Sequence, residues 1–317
     1  MRLENLLSRR LLQFLAIYEA GNVHRAAQAL ALTQPAVTMS LKQLEADTGT
    51  VLFERSTRGL APTSAGDALY AYACTLRQGA EYALEEIADE AAGNAGLLRI
   101  GAGVGWTTTI IPGALIELNR QFPRLRLELV TGVADQLARL FETGRVDLAI
   151  GAGANGPATA PDHCEDFLAD LPMVAVADRE SPLSRQPKVT IAELAAARWA
   201  GFYEDDAFVH HATHFLAAHG LRPPRIAMRS NSVHALAEFV RGTGMVMIVI
   251  SSLTERVKAA GLVQLPVEAS LWSVPVSLRY RKLAMRSAPI RVLAELISAR
   301  VREVALHATT TSRTPPT

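Results

Sequence analysis

Apolar positions recur at helical spacing through the first ninety residues, and from Leu97 onward they gather into short runs separated by helical stretches. Leu11, Phe14, Leu15 and Tyr18 mark one helix. Val23, Ala26, Ala27 and Leu30 mark a second, opened by Asn22 as N-cap. Ala31 and Leu32 make a tight turn. Thr33 is a second N-cap and Pro35 falls in the first turn, where a missing N–H costs nothing, so a third helix starts at Gln34. Val37, Leu41 and Leu44 give that helix one buried stripe. A basic wing closes at Pro62. Thr63 then caps a long helix whose apolar seam runs Ala65, Leu69, Tyr72, Leu76, Ala80, Ala83 and Ile87, about 40 Å at the standard rise per residue. So narrow a seam must pack against something, and Gly93, Asn94 and Gly96 detach it from the C-terminal two thirds of the chain.

Beyond this linker the pattern predicts an α/β domain. Strands are expected at 97–101, 126–131, 146–151, 173–177, 225–229, 245–250 and 273–280. Helices are expected at 107–121, 134–143, 208–219, 232–242 and 288–305. Residues 307–317, HATTTSRTPPT, are polar and end in proline, which predicts a disordered tail.

The third helix leaves Pro35, Thr38, Met39 and Lys42 on its outer face, with Gln34 at its N-terminus. Gln34 can pair bidentately with adenine and Thr38 with several base edges. Pro35, Met39 and the Thr38 methyl can meet a thymine methyl. The other reading is a small helical domain with a solvated outer face. The segment RAAQALALTQPAVTMSLKQLEADTGTVLFERSTRGLAPTSAG resembles the N-terminal domain of LysR-type transcriptional regulators from about Leu6 to Gly66. The matching motifs are Ala26–Ala27, QPA at 34–36, Leu44–Glu45 and LFER at 52–55. That resemblance implies DNA binding through Arg25, Thr33, Gln34, Pro35, Thr38, Met39, Lys42, Arg55 and Arg58, the arginines of the wing serving phosphates or the minor groove. It also implies that the long helix pairs two subunits. One departure stands out: the family carries an arginine two or three residues after QPA, where this chain has Val37, Thr38 and Met39.

Charge refines the picture. The chain of 317 residues is formally +1, and residues 1–62 hold seven basic against five acidic side chains. DNA binding must therefore be local, modest per subunit and dependent on dimerisation. The expected fold class is α/β multidomain: a winged helix-turn-helix at 1–62, a linker helix at 63–92 and an effector domain at 93–306. The effector domain resembles a periplasmic solute-binding protein, with subdomains at 97–167 with 271–306 and at 168–270. Its cleft is expected to hold a small organic anion at helix N-termini, lined by Trp106, Thr107, Thr108, Thr131, Phe202, Tyr203, Asn231 and Ser232. Double-stranded promoter DNA, a small-molecule effector, the chain itself as homodimer or homotetramer, and RNA polymerase are the expected partners.

Enzyme-like signals are weak. GAGVGW at 101 lacks a third glycine, and GAGANG at 151 runs into Pro157 and Pro161 where a helix should begin. His210, His211 and His214 lack the glutamate of a zinc motif, and neither a GxSxG elbow nor a triad is visible. No enzyme activity, cofactor or metal is expected. Cys74 and Cys164 read as reduced thiols, because a thiol switch in the C-terminal part would need a second cysteine there. No signal-peptide run or membrane span is seen, which points to the cytoplasm. A solute-binding receptor without DNA function is the rival reading, and the first 62 residues speak against it.

Overall fold

The computed structural model describes residues 9–56, 59–92, 96–152, 162–203 and 205–311. They form two compact units, one built chiefly on residues 1–93 and the other chiefly on 94–317.

In the first unit, α1 (Arg9–Ala20), α2 (Val23–Ala29) and α3 (Gln34–Thr48) enclose a core of Phe14, Leu15, Ile17, Ala26, Ala27, Val37, Leu44 and Leu52. The small Ala26 and Ala27 let α2 lie close to its neighbours. Asn22 Oδ1 caps α2 by accepting from His24 N at 2.7 Å and Arg25 N at 3.4 Å. The turn into α3 passes through Ala31 at φ 52°, the only non-glycine residue with positive φ among the described residues. Thr33 has N-cap backbone geometry, but its hydroxyl accepts no capping bond, contrary to the expectation for that side chain. Strands β1 (Phe53–Ser56) and β2 (Gly59–Pro62) pair antiparallel as the wing.

Helix α4 (Ser64–Ala92) starts where Thr63 Oγ1 accepts from Gly66 N at 3.1 Å and donates to Val51 O at 2.8 Å. Its predicted seam divides. Ala65 and Leu69 pack on the N-terminal core, whereas Tyr72, Leu76, Ala80 and Ala83 are exposed, and Leu84 beside them is 68% exposed. Ala73 and Cys74, from a different face, are buried.

The second unit carries a nine-stranded sheet in the order β4 (Arg126–Gly132), β3 (Leu97–Gly103), β5 (Leu148–Ala152), β11 (Ser273–Arg281), β6 (His163–Asp178), β9 (Val246–Ile250), β7 (Arg198–Phe202), β8 (Arg225–Ser230). Strand β10 (Leu262–Gln264) pairs with β6. Strand β3 runs parallel to both β4 and β5, and β7 runs parallel to β8 and β9. The half of β6 from 163 to 172 pairs with β11 and the half from 173 to 177 with β9, so this strand ties two lobes together. Helices α5 (Ile110–Gln121), α6 (Ala134–Glu142) and α11 (Ala288–Thr311) follow strands of the first lobe. Helices α7 (Ile191–Ala196), α8 (Asp206–Ala218), α9 (Val233–Thr243) and α10 (Thr254–Ala259) belong to the second.

Three expectations change. The helix predicted from Thr107 is a 3-10 turn at 106–108 followed by α5 from Ile110, because the hydroxyls of Thr107, Thr108 and Thr109 donate back to the carbonyls of Val104 and Gly105. Strand β6 begins ten residues before the predicted 173, since its polar first half is held by pairing with β11 rather than by hydrophobic alternation. Helix α11 continues to Thr311, so residues 307–311 of the expected tail are helical, and 312–317 lie outside the described residues. A half buried through Ile290, Leu293, Ile297 and Val301 nucleates that helix, and propagation then adds one hydrogen bond per residue.

The wing sits against α4 at closest range at Gly66, where an added Cβ would lie 2.3 Å from the Leu52 carbonyl oxygen. Gly242, inside α9, has open space around it. Gly66→Ala is expected to lower stability by about 1–3 kcal/mol through forced backbone movement. Gly242→Ala should raise it by about 0.5–1 kcal/mol through helix propensity and lost unfolded-state freedom. Denaturant melts of the two variants should move in opposite directions; a shift of the same sign in both would contradict this packing.

Candidate DNA-reading face and effector cleft

The outer face of α3 is built by what lies beneath it. Val37 and Leu44 are fully buried, and Leu41 packs beside them, which turns Gln34, Pro35, Met39 and Lys42 to solvent. Met39 is 72% exposed, a large apolar side chain left without an intramolecular partner surface. Thr38 is half-buried, and its hydroxyl donates to Gln34 O at 2.9 Å, so the oxygen remains an acceptor for an outside donor. Arg25 on α2 and Thr33 at the helix start are exposed on the approach to this face. The backbone of Arg55 lies in β1; Arg58 lies outside the described residues.

Two polar contacts fix the reader against its supports. Glu45 Oε1, on α3, accepts from Leu52 N at 2.8 Å and Phe53 N at 3.4 Å, which sets the start of the wing relative to the helix. Arg10 Nη1 meets Asp47 Oδ2 at 2.7 Å and joins α1 to the end of α3. Being partly exposed, that ion pair positions more than it stabilises.

In the second unit a cleft of about 890 Å³, open mouth included, lies between the lobes. One wall is formed at the carboxyl ends of β3, β4 and β5, the place where open α/β sheets take ligands. There the chain presents Gly103, Gly132 and Gly151. The opposite wall carries Phe202 from β7, Asp205, Phe208 and His211 from the start of α8, and Trp272. Among the described residues, side-chain hydrogen bonds join the lobes. Ala207 N donates to Asp135 Oδ2 at 3.3 Å, and Arg256 Nε donates to Thr108 O at 2.9 Å.

Only Phe202 of the eight expected effector residues lines this cleft. Trp106 is 2% exposed, with its ring against Gly103, so it offers no aromatic wall. The hydroxyls of Thr107 and Thr108 are spent on local carbonyls. Thr131 is exposed on the edge strand β4, Tyr203 and Asn231 are exposed, and Ser232 Oγ caps α9 by accepting from Ala235 N. The N-terminus of α9 is thus closed by its own cap, whereas α5 starts without a side-chain cap. Asp205, Phe208, His211 and Trp272 were not anticipated. The Asp-Ala-Phe start of α8 and the glycines closing three strands are their sequence signals.

Among the described residues that line the cleft, the ionisable groups are Asp205 and His211. Asp205 is pushed up to about 6, mainly by burial and further by the negative charges of Asp135 and Asp206, against the pull of the Phe208 amide and Arg229. Its Oδ1 accepts from Phe208 N at 3.2 Å. Burial, together with His210 and His214, holds His211 below the usual histidine range. Among the described residues there is no helix long and apolar enough to cross a membrane and no cluster of metal-ligating side chains.

Comparison with known proteins agrees with this architecture. Residues 8–67 match the model of the bacterial regulatory helix-turn-helix protein, lysR family, and residues 91–302 match that of the LysR substrate binding domain. The chain is 31% identical over 231 residues to the HTH-type transcriptional regulator GbpR of Azospirillum brasilense, covering 71% of this chain and 66% of that protein, just under two thirds of its length. It is 26% identical to the HTH-type transcriptional regulator CysL of Bacillus subtilis, covering 73% of this chain and 77% of that one. A full-length OxyR variant from Pseudomonas aeruginosa shares the fold with a TM-score of 0.59 at 21% identity, covering 94% and 95% of the two chains. The LysR family regulator CbnR does so with a TM-score of 0.55 at 22% identity, covering 94% and 98%. The chain belongs to the LysR family of helix-turn-helix transcriptional regulators.

A carboxyl whose folded-state value is raised penalises the folded state above about pH 6 and not below its ordinary value of 3.8. Asp205→Asn keeps an oxygen for Phe208 N and removes the charge. It should stabilise the chain by about 1–2 kcal/mol at neutral pH, the gain fading as pH falls from about 6 to 4. Denaturant melts at both ends of that window test this; an equal gain at both, or a loss, would contradict the buried carboxylate.

Proposed function

We propose that this chain binds promoter DNA as a dimer or tetramer through the exposed face of α3, with a small molecule in the regulatory cleft biasing the arrangement of the two lobes and so the DNA-bound geometry. In this reading residues 1–62 form the DNA-binding module, 63–92 the pairing helix and 93–306 the effector-binding part. Gln34, Thr38 and Met39 read bases. Arg25, Thr33, Lys42, Arg55 and Arg58 hold phosphates or reach the minor groove, and Pro35 packs against a base methyl. The single observation that carries the reading is the solvent-facing Met39, flanked by Gln34 and Lys42, on a helix whose other side is fully buried. The cytoplasm as location, RNA polymerase as a further partner and the absence of catalysis belong to the same proposal.

Gln34→Ala should cost about 1–3 kcal/mol on the cognate site and relax the preference at one base pair. Arg55→Ala should weaken binding to all sequences and reduce the salt slope by about one. Equal effects of both variants on every sequence, measured by fluorescence anisotropy across a salt series, would contradict this division.

The exposed stretch Tyr72, Leu76, Ala80, Leu84 of α4 is assigned to subunit pairing. Tyr72→Glu with Leu76→Glu should dissociate the oligomer, with a loss of DNA affinity of about a hundredfold or more as the linked second module is removed. Analytical ultracentrifugation showing an unchanged assembly would remove α4 from the interface.

A further inference from the structure

Helix α6 (Ala134–Glu142) has its two ends in different surroundings. Its first turns belong to the cleft, where Ala134 and Leu137 are part of the lining. Residues 142–144, at its other end, belong to the same compact unit as α1 and α4. Nine residues at the helical rise make a rod of about 13 Å between these ends.

At the cleft end Asp135 sits in the first turn of α6, where a carboxylate is favoured, and its Oδ2 accepts from Ala207 N at 3.3 Å in the first turn of α8. That amide comes from the opposite lobe, so the bond lasts only while the lobes keep this spacing. At the far end, the carbonyls of a last helical turn lack intrahelical donors and carry the negative end of the helix dipole. Gly144, at φ 75°, turns the chain there, and Arg145 N donates back to Leu140 O at 2.8 Å. Arg77 Nη2, from α4, donates to Thr143 O at 2.8 Å. The same guanidinium holds Glu19 Oε1 of α1 through Nη1, also at 2.8 Å. One planar fork thus joins the end of α6 to the first helix of the reading unit.

Two further observations belong to the same contact. Thr75 Oγ1 of α4 donates to Asp162 Oδ1 at 3.0 Å, directly before β6. The Tyr18 hydroxyl on α1 is pushed up by burial first and then by Asp67, with the charge of Glu142 among the weaker influences, so the end of α6 lies within electrostatic reach of α1. Tyr18 in turn stacks on Tyr70 of α4 with ring centroids 3.7 Å apart, which ties α1 to α4.

We propose that Arg77 is the positioning residue through which the state of the cleft reaches the DNA-reading unit: a change of lobe spacing at Asp135 shifts α6, and Arg77 passes that shift to α1 through Glu19. This rests on the reading of the chain as a DNA-binding regulator controlled through its cleft. A mere brace would lose stability on substitution independently of Asp135, whereas transmission makes the two residues depend on each other.

The test is a double-variant cycle on the full chain, read by fluorescence anisotropy as affinity for its own upstream promoter fragment and for a shuffled fragment. Asp135→Ala removes the acceptor at the cleft and should change promoter affinity about threefold or more. In an Arg77→Met background, which keeps an unbranched apolar stem and loses both donors, the same Asp135→Ala step should leave affinity unchanged. Glu19→Gln weakens the contact from the other side and should suppress the Asp135 effect likewise, an arm that holds even if Arg77→Met folds poorly. Asp135→Ala effects that are equal in all backgrounds, or absent from all, overturn the proposal, and the DNA-binding reading then stands as long as the promoter is preferred. No preference for the promoter by the unaltered chain would end that reading and this one together.

Discussion

The carboxylate of Glu45 is the contact on which the DNA-reading unit depends. One oxygen accepts from the amides of Leu52 and Phe53, so the last turns of the reading helix set the angle at which the wing leaves. The next link is the Leu52 carbonyl, which accepts from Thr63 N at 3.0 Å directly before the long helix begins. Gly66 allows that carbonyl to approach the helix more closely than any side chain would permit. Helix α3, the wing and the long helix thereby become one body, the rigidity that the proposed pairing through the long helix needs to present two readers in a fixed relation. Hydrogen bonds to a charged acceptor are among the stronger polar contacts, and the core beneath Val37 and Leu44 makes the geometry unique.

The winged helix was legible because several local cues agree. Asn22 caps its helix as its side chain predicts, Pro35 sits in a first turn, and the stripe Val37, Leu41, Leu44 faces inward. The cues that misled were those where one residue has two uses. Thr33 looks like a side-chain cap and is one only by backbone shape. Thr107 and Thr108 look like ligand hydroxyls at a helix start, yet they close the preceding turn. The polar first half of β6 offers no alternation to read, because its partner strand arrives from more than a hundred residues away.

The cleft was the least legible part, for a topological reason. Its wall draws on residues near 103, 132, 151, 205 and 272, which only the doubly crossing β6 and β11 bring together. In the sequence the glycine motifs at 101 and 151 and the histidines at 210, 211 and 214 fit neither a dinucleotide loop nor a zinc motif, and nothing else marks them as part of a cleft. In the fold three strand-end glycines, at 103, 132 and 151, and one histidine, His211, come together in the lining. Nothing local in the sequence marks the half-buried Trp272 as a lining residue; only the fold brings it to the cleft.

The most direct test of the account is equilibrium binding of the intact chain to its own upstream promoter fragment against a shuffled fragment of equal length and composition, across a range of salt. A face that reads bases predicts a preference for the promoter of about a thousandfold or more at physiological salt, growing in relative weight as salt suppresses the nonspecific term. Equal affinity for both fragments at every salt concentration would contradict it.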